Sequence, residues 1–496
     1  MTHPRQADAS ELTWDARPLI SGERFVSSAT ATFDLVSPRD GSVLCTIANG
    51  TQNDVDAAVE SARSTFDSGV WSGLSARERG RIMIRFAELV ESKASELALR
   101  ICLEMGKPVH DALAVELKAT AECLRWYGEA ADKYYGDLPD ASPNALALIT
   151  REPAGVVAAI IPWNFPLTML AWKIGPALAS GNSVVVKPAE QTTVSALELC
   201  ALALDAGIPK GALNVVPGRG DVVGEALGRH SGVDVVTFTG SVAVGRRFLS
   251  YAAESNGKRV WPELGGKSAS LILSDADSET AGRVSAWAAF YNQGQMCSAS
   301  SRMVVLRDVH DRAVAAAIAQ ANSMIPADPL SGSAPNGAIV SERALERTLG
   351  FVQRAVAAGA VLVAGSSERY DIGTGKGCYV SPVVLTNVRP DMEIAQEEVF
   401  GPVLSVIAVD SLDEGVAVAN GTQFGLGAGL WTRDLSLAHS VSRRLRAGTV
   451  WVNCYEEGTL SMPFGGVGSS GFGRDKGLSA MDKYSDLKST WIELES

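Results

Sequence analysis

The spacing of apolar and polar positions divides the chain into stretches of different period. Residues 19–47 carry short β-branched runs broken by Ser21-Gly22, Pro38 and Asp40-Gly41, which predicts hairpins. Asn53 then reads as an N-cap, because Val55, Ala58, Val59, Ala62 and Phe66 follow at helical spacing. Ser75-Ala76-Arg77-Glu78 has the form of a capping box. It predicts a second helix with Ile82, Phe86, Leu89 and Val90 on its apolar face. Helical character ends near Gly106 and Pro108 and returns over 112–133. Residues 1–17 are polar and are expected to be mobile.

Pro139 and Pro143 then break the pattern, and 145–150 reads as a strand set between two larger blocks, in the manner of an arm. From Gly155 apolar runs at 156–161, 183–187, 214–216 and 233–238 alternate with helical stretches at 167–180, 194–207 and 220–229. Unbroken apolar strands alternating with helices predict a parallel sheet covered on both faces. After Gly265 a second series begins, with strands at 269–273, 303–306, 403–409, 427–431 and 449–453. One helix leads toward Cys297, another covers 343–358, and 490–494 reads as a last strand of the arm.

Composition narrows what such a molecule does. At 496 residues the chain is too long for one ordinary core. Apolar residues at 46% and charged ones at 20% fit a soluble globular protein. A formal net charge of -12 disfavours nucleic acid and anionic membrane as partners. The seven cysteines are scattered without a CxxC pair, so neither a metal ribbon nor a disulfide framework is expected. A reducing, cytoplasmic setting is expected, and residues 1–15 lack the apolar segment of a signal peptide.

Three stretches carry candidate chemistry: Pro162-Trp163-Asn164-Phe165-Pro166, Glu263-Leu264-Gly265-Gly266-Lys267-Ser268, and the run from Tyr291 to Ser300 around Cys297. A thiol can attack a carbonyl carbon, a side-chain amide can hold the resulting oxyanion, and a carboxylate can activate water. None of the five histidines lies in these stretches, which weakens a Cys–His hydrolase as the rival.

With Phe238-Thr239-Gly240-Ser241, Glu397-Glu398-Val399-Phe400-Gly401-Pro402 and Pro463-Phe464-Gly465-Gly466, these make six motifs in one order. On them the chain resembles the aldehyde dehydrogenase superfamily from about Leu19 to its end. Its C-terminal third also resembles bacterial gamma-glutamyl-aminobutyraldehyde dehydrogenases. That likeness rests on Trp431-Thr432-Arg433-Asp434-Leu435-Ser436, Ser442-Arg443-Arg444-Leu445 and Gly473-Arg474-Asp475-Lys476.

The resemblance implies an α/β fold with a Rossmann-type NAD-binding domain (1–131 and 154–264), a catalytic domain (265–467) and a small β oligomerisation arm (132–153 and 482–496). Subunits would pair through the arm into a homodimer or homotetramer. Cys297 would form a thioester with an aldehyde, Asn164 and the Cys297 N–H would hold the oxyanion, and Glu263 would activate the hydrolytic water. Lys173 matches a lysine near the site and is a candidate for favouring the thiolate. The presence of Glu263 favours water over CoA as acyl acceptor. A catalytically silent binding or structural protein of the same fold is the reading from another class, and Cys297, Glu263 and Asn164 together argue against it.

No Gly-x-Gly-x-x-Gly occurs, and Gly218 to Gly224 has one residue too many for it. The family's equivalent runs from Phe238 through Gly240 and Ser241, where a helix N-terminus suits a pyrophosphate. The resemblance adds Ile161, Pro162, Trp163, Lys187, Ala189, Gly220, Gly224 and Leu264 as cofactor neighbours, with Glu398 on the nicotinamide ribose and Phe400 beside the ring. Glu190 would accept from ribose hydroxyls and repel a 2′-phosphate, favouring NAD while leaving NADP possible. Phe165, Met169, Trp172, Tyr291, Met296, Ser298, Tyr455, Glu456 and Glu457 would line the substrate tunnel. Aromatic walls beside two carboxylates suit an ω-amino or gamma-glutamylamino aldehyde of putrescine breakdown. A general aliphatic, aromatic or betaine aldehyde is the alternative, and no metal is expected.

Overall fold

A computed structural model describes residues 9–373 and 375–494. Its strands in chain order begin β1 (Leu19–Ile20), β2 (Glu23–Arg24), β3 (Thr32–Val36), β4 (Val43–Ala48), β5 (Ala145–Pro153) and β6 (Val156–Ile160). They continue β7 (Ser183–Lys187), β8 (Leu213–Val215), β9 (Val235–Gly240), β10 (Arg259–Leu264), β11 (Ala269–Ile272) and β12 (Arg302–Leu306). The last are β13 (Val361–Ala364), β14 (Val383–Thr386), β15 (Val403–Val409), β16 (Gly427–Trp431), β17 (Thr449–Val452) and β18 (Ser485–Glu493).

Two seven-stranded sheets result. The first runs β10-β9-β6-β7-β8-β1-β2 and the second β13-β14-β15-β12-β11-β16-β17. Strands β6 to β10 pair in parallel, as do β11, β12 and β14 to β17, with antiparallel strands only at one edge of each sheet. The apolar runs explain this. Every residue of β6 is buried. Val157 and Ala159 join one core, and Val156, Ala158 and Ile160 join the core on the opposite face. In the second sheet Val304 packs on one face while Met303 and Val305 pack on the other. Strands buried on both faces have no polar side to alternate with.

The chain passes from the first sheet to the second between Leu264 and Ala269, across Gly265-Gly266-Lys267-Ser268. In the first sheet the order steps from β6 through β7 to β8, then returns to place β9 on the far side of β6. The crevice beyond the carboxyl ends of β6 and β9 is thus a topological switch point, where open α/β sheets take their ligands.

Several elements differ from their sequence pattern. The first long helix (Gln52–Asp67) is capped by Thr51 rather than Asn53, because Thr51 and Asp54 satisfy each other's backbone N–H groups reciprocally. The Ser75 capping box is present as expected, but its helix (Ala76–Ser92) ends at Lys93 and a second helix (Ala94–Met105) carries the chain to Gly106. Residues 12–17 are not loose: Leu12 and Trp14 pack on the core, Ala16 is buried, and Thr13 accepts from Arg100 at 2.9 Å. Residues 1–8 lie outside the described part of the chain.

The last strand is β18, longer than the 490–494 run, because its polar half pairs as well as its apolar half. It lies antiparallel to β5, from Ser485 beside Pro153 to Glu493 beside Ala145. The ribbon projects from the rest of the molecule, and Leu487 and Trp491 on it are 63% and 60% exposed.

Candidate active site

The carboxyl ends of the first sheet bring the cofactor candidates together. Strand β6 leads into Ile161, Pro162 and Trp163, and β9 ends at Gly240. Ser241 caps the following helix (Val242–Ala253), its hydroxyl accepting from Val244 N at 3.4 Å. A 12-residue helix thus points its N-terminus into the crevice, which suits an anion. Phe238 and Gly224 stand behind this turn, both against Phe248. At the end of β7, Lys187 donates to Glu190 Oε1 at 3.1 Å, and the same oxygen accepts from Gly220 N at 2.7 Å. Ala189 is buried between them in sequence.

A cavity of about 840 Å³ opens from this crevice and runs between the two sheets. Gly240, Ser241, Pro162, Trp163, Leu264, Glu398 and Phe400 line its one end. Trp163 and Phe400 meet edge to face at 5.3 Å. Glu398 accepts from Gly266 N at 3.0 Å. Gly265 is needed here, since a Cβ on it would lie 2.2 Å from the Glu398 carboxylate. Burial pushes the Glu398 carboxyl up to about 7, against the pull of Gly266 N–H, Arg347 and Lys267.

Cys297 and Asn164 line the same cavity. The loop that delivers Cys297 is tightly wound: Asn292, Gln293 and Gly294 all have positive φ, at 52°, 59° and 66°. Gly294 has no room for a side chain, since a Cβ would meet Gly401 O at 2.2 Å. Asn164 Nδ2 donates to Gln295 O at 2.9 Å, so one amide hydrogen fixes the loop and the other remains free. The Asn164 carbonyl accepts from Lys107 Nζ at 3.0 Å and from Asn292 Nδ2 at 3.1 Å. Burial pushes the Cys297 thiol up, and the Glu456, Glu398 and Glu263 carboxylates add to it.

Glu263, on β10, is buried beside the cavity wall with both carboxyl oxygens unpartnered. A Cβ on Gly473 would come within 2.6 Å of Glu263 Oε1, so Gly473 leaves the carboxyl its space. Burial raises this carboxyl well above its ordinary range; Asp475 adds to the rise, and Lys173, Lys483 and Arg474 oppose it. Lys173 does not line the cavity. It is fully buried, and it and Lys483 each hold one oxygen of Asp475.

The far end is walled by Phe165, Met169, Trp172, Tyr291, Met296, Ser298, Glu456 and Glu457. Tyr455 is a correction: it is buried behind the wall, its hydroxyl donating to Ser298 O at 2.8 Å and its ring 4.6 Å from Trp451. The motifs did not point to Asp111, Trp287, Arg347 or Trp451, which line the cavity too. They come from helical or strand stretches whose local pattern speaks only of packing. Lys476 also faces the cavity; its motif, Gly473 to Lys476, was visible in the sequence without a role. Among the described residues no helix is long and apolar enough to cross a membrane.

A thiol and a side-chain amide lining one cavity, at the switch point of a dinucleotide-type sheet, fit the dehydrogenases that such sheets serve. The chain belongs to the aldehyde dehydrogenase family, whose model matches residues 25–490. It is 42% identical to the NADP/NAD-dependent aldehyde dehydrogenase PuuC of Escherichia coli, over 99% of this chain and 98% of that one. The gamma-glutamyl-gamma-aminobutyraldehyde dehydrogenase structure from Burkholderia cenocepacia superposes with a TM-score of 0.96 at 48% identity, covering 99% of both chains. The indole-3-acetaldehyde dehydrogenase AldA of P. syringae, solved with NAD+ and IAA, gives 0.97 at 47% identity and the same coverage. The protein is an NAD-dependent aldehyde dehydrogenase of the mixed α/β fold of that family.

The residues present fit NAD. The helix N-terminus at Ser241 offers backbone donors to a pyrophosphate. Lys187 and Glu190 offer a donor and an acceptor to an adenosine ribose. Glu398, Trp163 and Phe400 surround the end nearest Cys297.

Proposed function

We propose that this enzyme oxidises an ω-amino or acylamino aldehyde to the carboxylic acid through a thioester on Cys297. The observation that carries the chemistry is the shared cavity, which Cys297, Asn164, Ser241 and Glu398 all line. The Cys297 sulfur adds to the aldehyde carbon, and the carbonyl oxygen becomes an oxyanion. The second Asn164 amide hydrogen and the Cys297 backbone N–H, which makes no hydrogen bond to a described residue, hold that charge. Collapse of the oxyanion expels a hydride and leaves the thioester. NAD, when bound, accepts the hydride. Glu263 then takes a proton from a water, which adds to the thioester and releases the acid and the thiol. Glu263 does not itself line the cavity, though Leu264 beside it does; no hydrogen bond tethers its carboxyl, and the proposed role has it turn toward the cavity. Water as acyl acceptor follows from Glu263 serving as this base.

The amino-aldehyde reading is supported by the far wall. Asp111, Glu116, Glu456 and Glu457 all border the cavity there, among Phe165, Trp172 and Tyr291. An alkyl chain suits the aromatic faces, and an ammonium suits both the faces and the carboxylates. The name of the similar gamma-glutamyl-gamma-aminobutyraldehyde dehydrogenase points the same way.

A panel of 4-aminobutanal, its gamma-glutamyl derivative, hexanal and an aromatic aldehyde, read by NADH absorbance, tests the reading. The amino aldehydes are expected to give the highest kcat/KM. The Glu456→Lys/Glu457→Lys variant is expected to lower the ratio of 4-aminobutanal to hexanal turnover by raising the KM of the amine. If the wild-type enzyme prefers hexanal to every amino aldehyde, the reading fails.

A further inference from the structure

Most charged side chains around the cavity are spoken for. Glu116 is paired with Lys107, and Asp111 lies 3.3 Å from His110. Arg347 donates to Val399 O at 2.8 Å and to Glu398 O. Glu398 is held by Gly266 N. Glu457 is exposed at the rim. Two remain. Glu456 has a buried carboxyl oxygen, Oε1, with no partner. Lys476 forms no hydrogen bond or ion pair with any described residue and sits only against the Trp172 ring, 5.6 Å from its centroid.

These two opposite charges line the same cavity and yet do not pair with each other. They feel one another: Lys476 favours the charged form of Glu456, and Glu456 favours that of Lys476. Both stand at backbone turns of positive φ, 62° at Glu456 and 63° at Lys476. Ser298 offers Glu456 one hydrogen bond, but a half-buried cation with no partner beside a carboxylate with one buried oxygen unsatisfied is costly unless something else completes them. A group bearing both an ammonium and a carboxylate does so.

We infer that Lys476 is a specificity-determining residue that receives a carboxylate at the far end of the substrate, while Glu456 receives the ammonium beside it. The substrate class is then an aldehyde ending in a zwitterionic amino-acid group, joined through an alkyl or acylamino chain that lies along Trp172 and Tyr291. This rests on the amino-aldehyde reading above and narrows it: a simple ω-ammonium aldehyde satisfies Glu456 and leaves Lys476 unmatched. The same cation disfavours such a substrate by like-charge repulsion, so the two amino aldehydes are separated by a single side chain.

The test compares kcat and KM for the gamma-glutamyl derivative of 4-aminobutanal, for 4-aminobutanal and for hexanal, in the wild type, Lys476→Met and Lys476→Arg. In Lys476→Met the kcat/KM of the zwitterionic aldehyde relative to hexanal is expected to fall about tenfold or more, the loss of one charge-assisted contact. The fall should lie in KM rather than kcat. 4-Aminobutanal should move the other way relative to hexanal, and Lys476→Arg should restore most of the zwitterion's advantage. Retained NAD binding by fluorescence quenching reports that the variant is folded. An unchanged zwitterion-to-hexanal ratio in a folded Lys476→Met overturns the inference, as does an equal loss on all three aldehydes. If the wild type prefers 4-aminobutanal to its glutamyl derivative, the inference fails and the amino-aldehyde reading stands. If it prefers hexanal to both, the amino-aldehyde reading itself is what fails.

Discussion

Burial sets the protonation of the proposed nucleophile and the proposed base. The Cys297 thiol and the Glu263 carboxyl are both pushed upward, and in the proposed reaction each must lose its proton. An acid with a raised pKa stays protonated to higher pH, so turnover is expected to climb as pH rises through the neutral range and above. Cys297→Ala is expected to abolish NADH formation while NAD still binds. Glu263→Gln is expected to keep a first-turnover burst but slow the later turnovers by about a hundredfold or more, the usual weight of a general base. The steady-state rate of that variant should lose its rise with pH, because the group that must ionise for hydrolysis is gone. Loss of the burst along with the later turnovers would contradict a role confined to water activation. Glu190 acts at the opposite end. Its Oε1 holds Lys187 and Gly220 N together, and a glutamine keeps an acceptor there while removing the charge. Glu190→Gln is therefore expected to raise the NADP-to-NAD ratio of kcat/KM about tenfold, one charge repulsion's worth. An unchanged ratio would move cofactor choice elsewhere.

At the scale of the element, the decisive feature is the loop that presents Cys297. Three consecutive residues in the left-handed region cost strain, and two of them are not glycine. Asn292 is held by its side-chain bonds to Asn164 O and Gln295 O, and Gln293 by the bond from its N–H to Asn336 Oδ1 at 3.0 Å. Gly294 has both a positive φ and no room for a Cβ. Gly294→Ala is expected to slow thioester formation at least tenfold, about the effect of a small misplacement of the nucleophile. A normal burst rate in that variant would show that the loop tolerates the displacement. The same loop marks where sequence reading stops. The motif around Cys297 was legible, and so were β6, β7, β15 and β16, whose apolar runs need both faces covered. β10 was not, because Arg259 to Leu264 mixes a charge, a proline and a glutamate with its apolar residues. The edge pair β13 and β14 and the π-helical turn at Ala112–Leu117 were hidden as well, since their form is set by neighbours distant in sequence. Asn53 was the cap that the pattern predicted, and the reciprocal bonds between Thr51 and Asp54 place it at Thr51 instead. Lys476 was visible as a letter, but that it faces the cavity without a partner among the described residues depends on how distant segments fold together, which no periodicity encodes.

At the scale of the whole molecule, the two sheets account for the cavity and leave one part unexplained, the β5–β18 ribbon. A two-stranded ribbon is marginal alone in water. This one carries Leu487 at 63%, Trp491 at 60% and Ile492 at 40% exposure along β18. Its free edge also offers unpaired backbone groups. Such a surface calls for a cover, and we propose that a second copy of the chain supplies it, as the family resemblance implies. The ribbon is tied to the catalytic centre through the short segment before it: Lys483, two residues from β18, holds Asp475 behind Glu263. Burying a leucine and a tryptophan contributes about 1.5–3 kcal/mol each, so a double Leu487→Asp/Trp491→Asp variant is expected to weaken association by several orders of magnitude in Kd. Light scattering at micromolar concentration should show the wild type as a multiple of 52.1 kDa and the variant at the single-chain mass. A wild type that runs as a single chain, or a variant whose mass is unchanged, would remove the ribbon from the assembly. If the variant dissociates, its Glu263-dependent hydrolysis step should slow more than its burst, because releasing β18 loosens the Lys483 contact that steadies Asp475 behind the base.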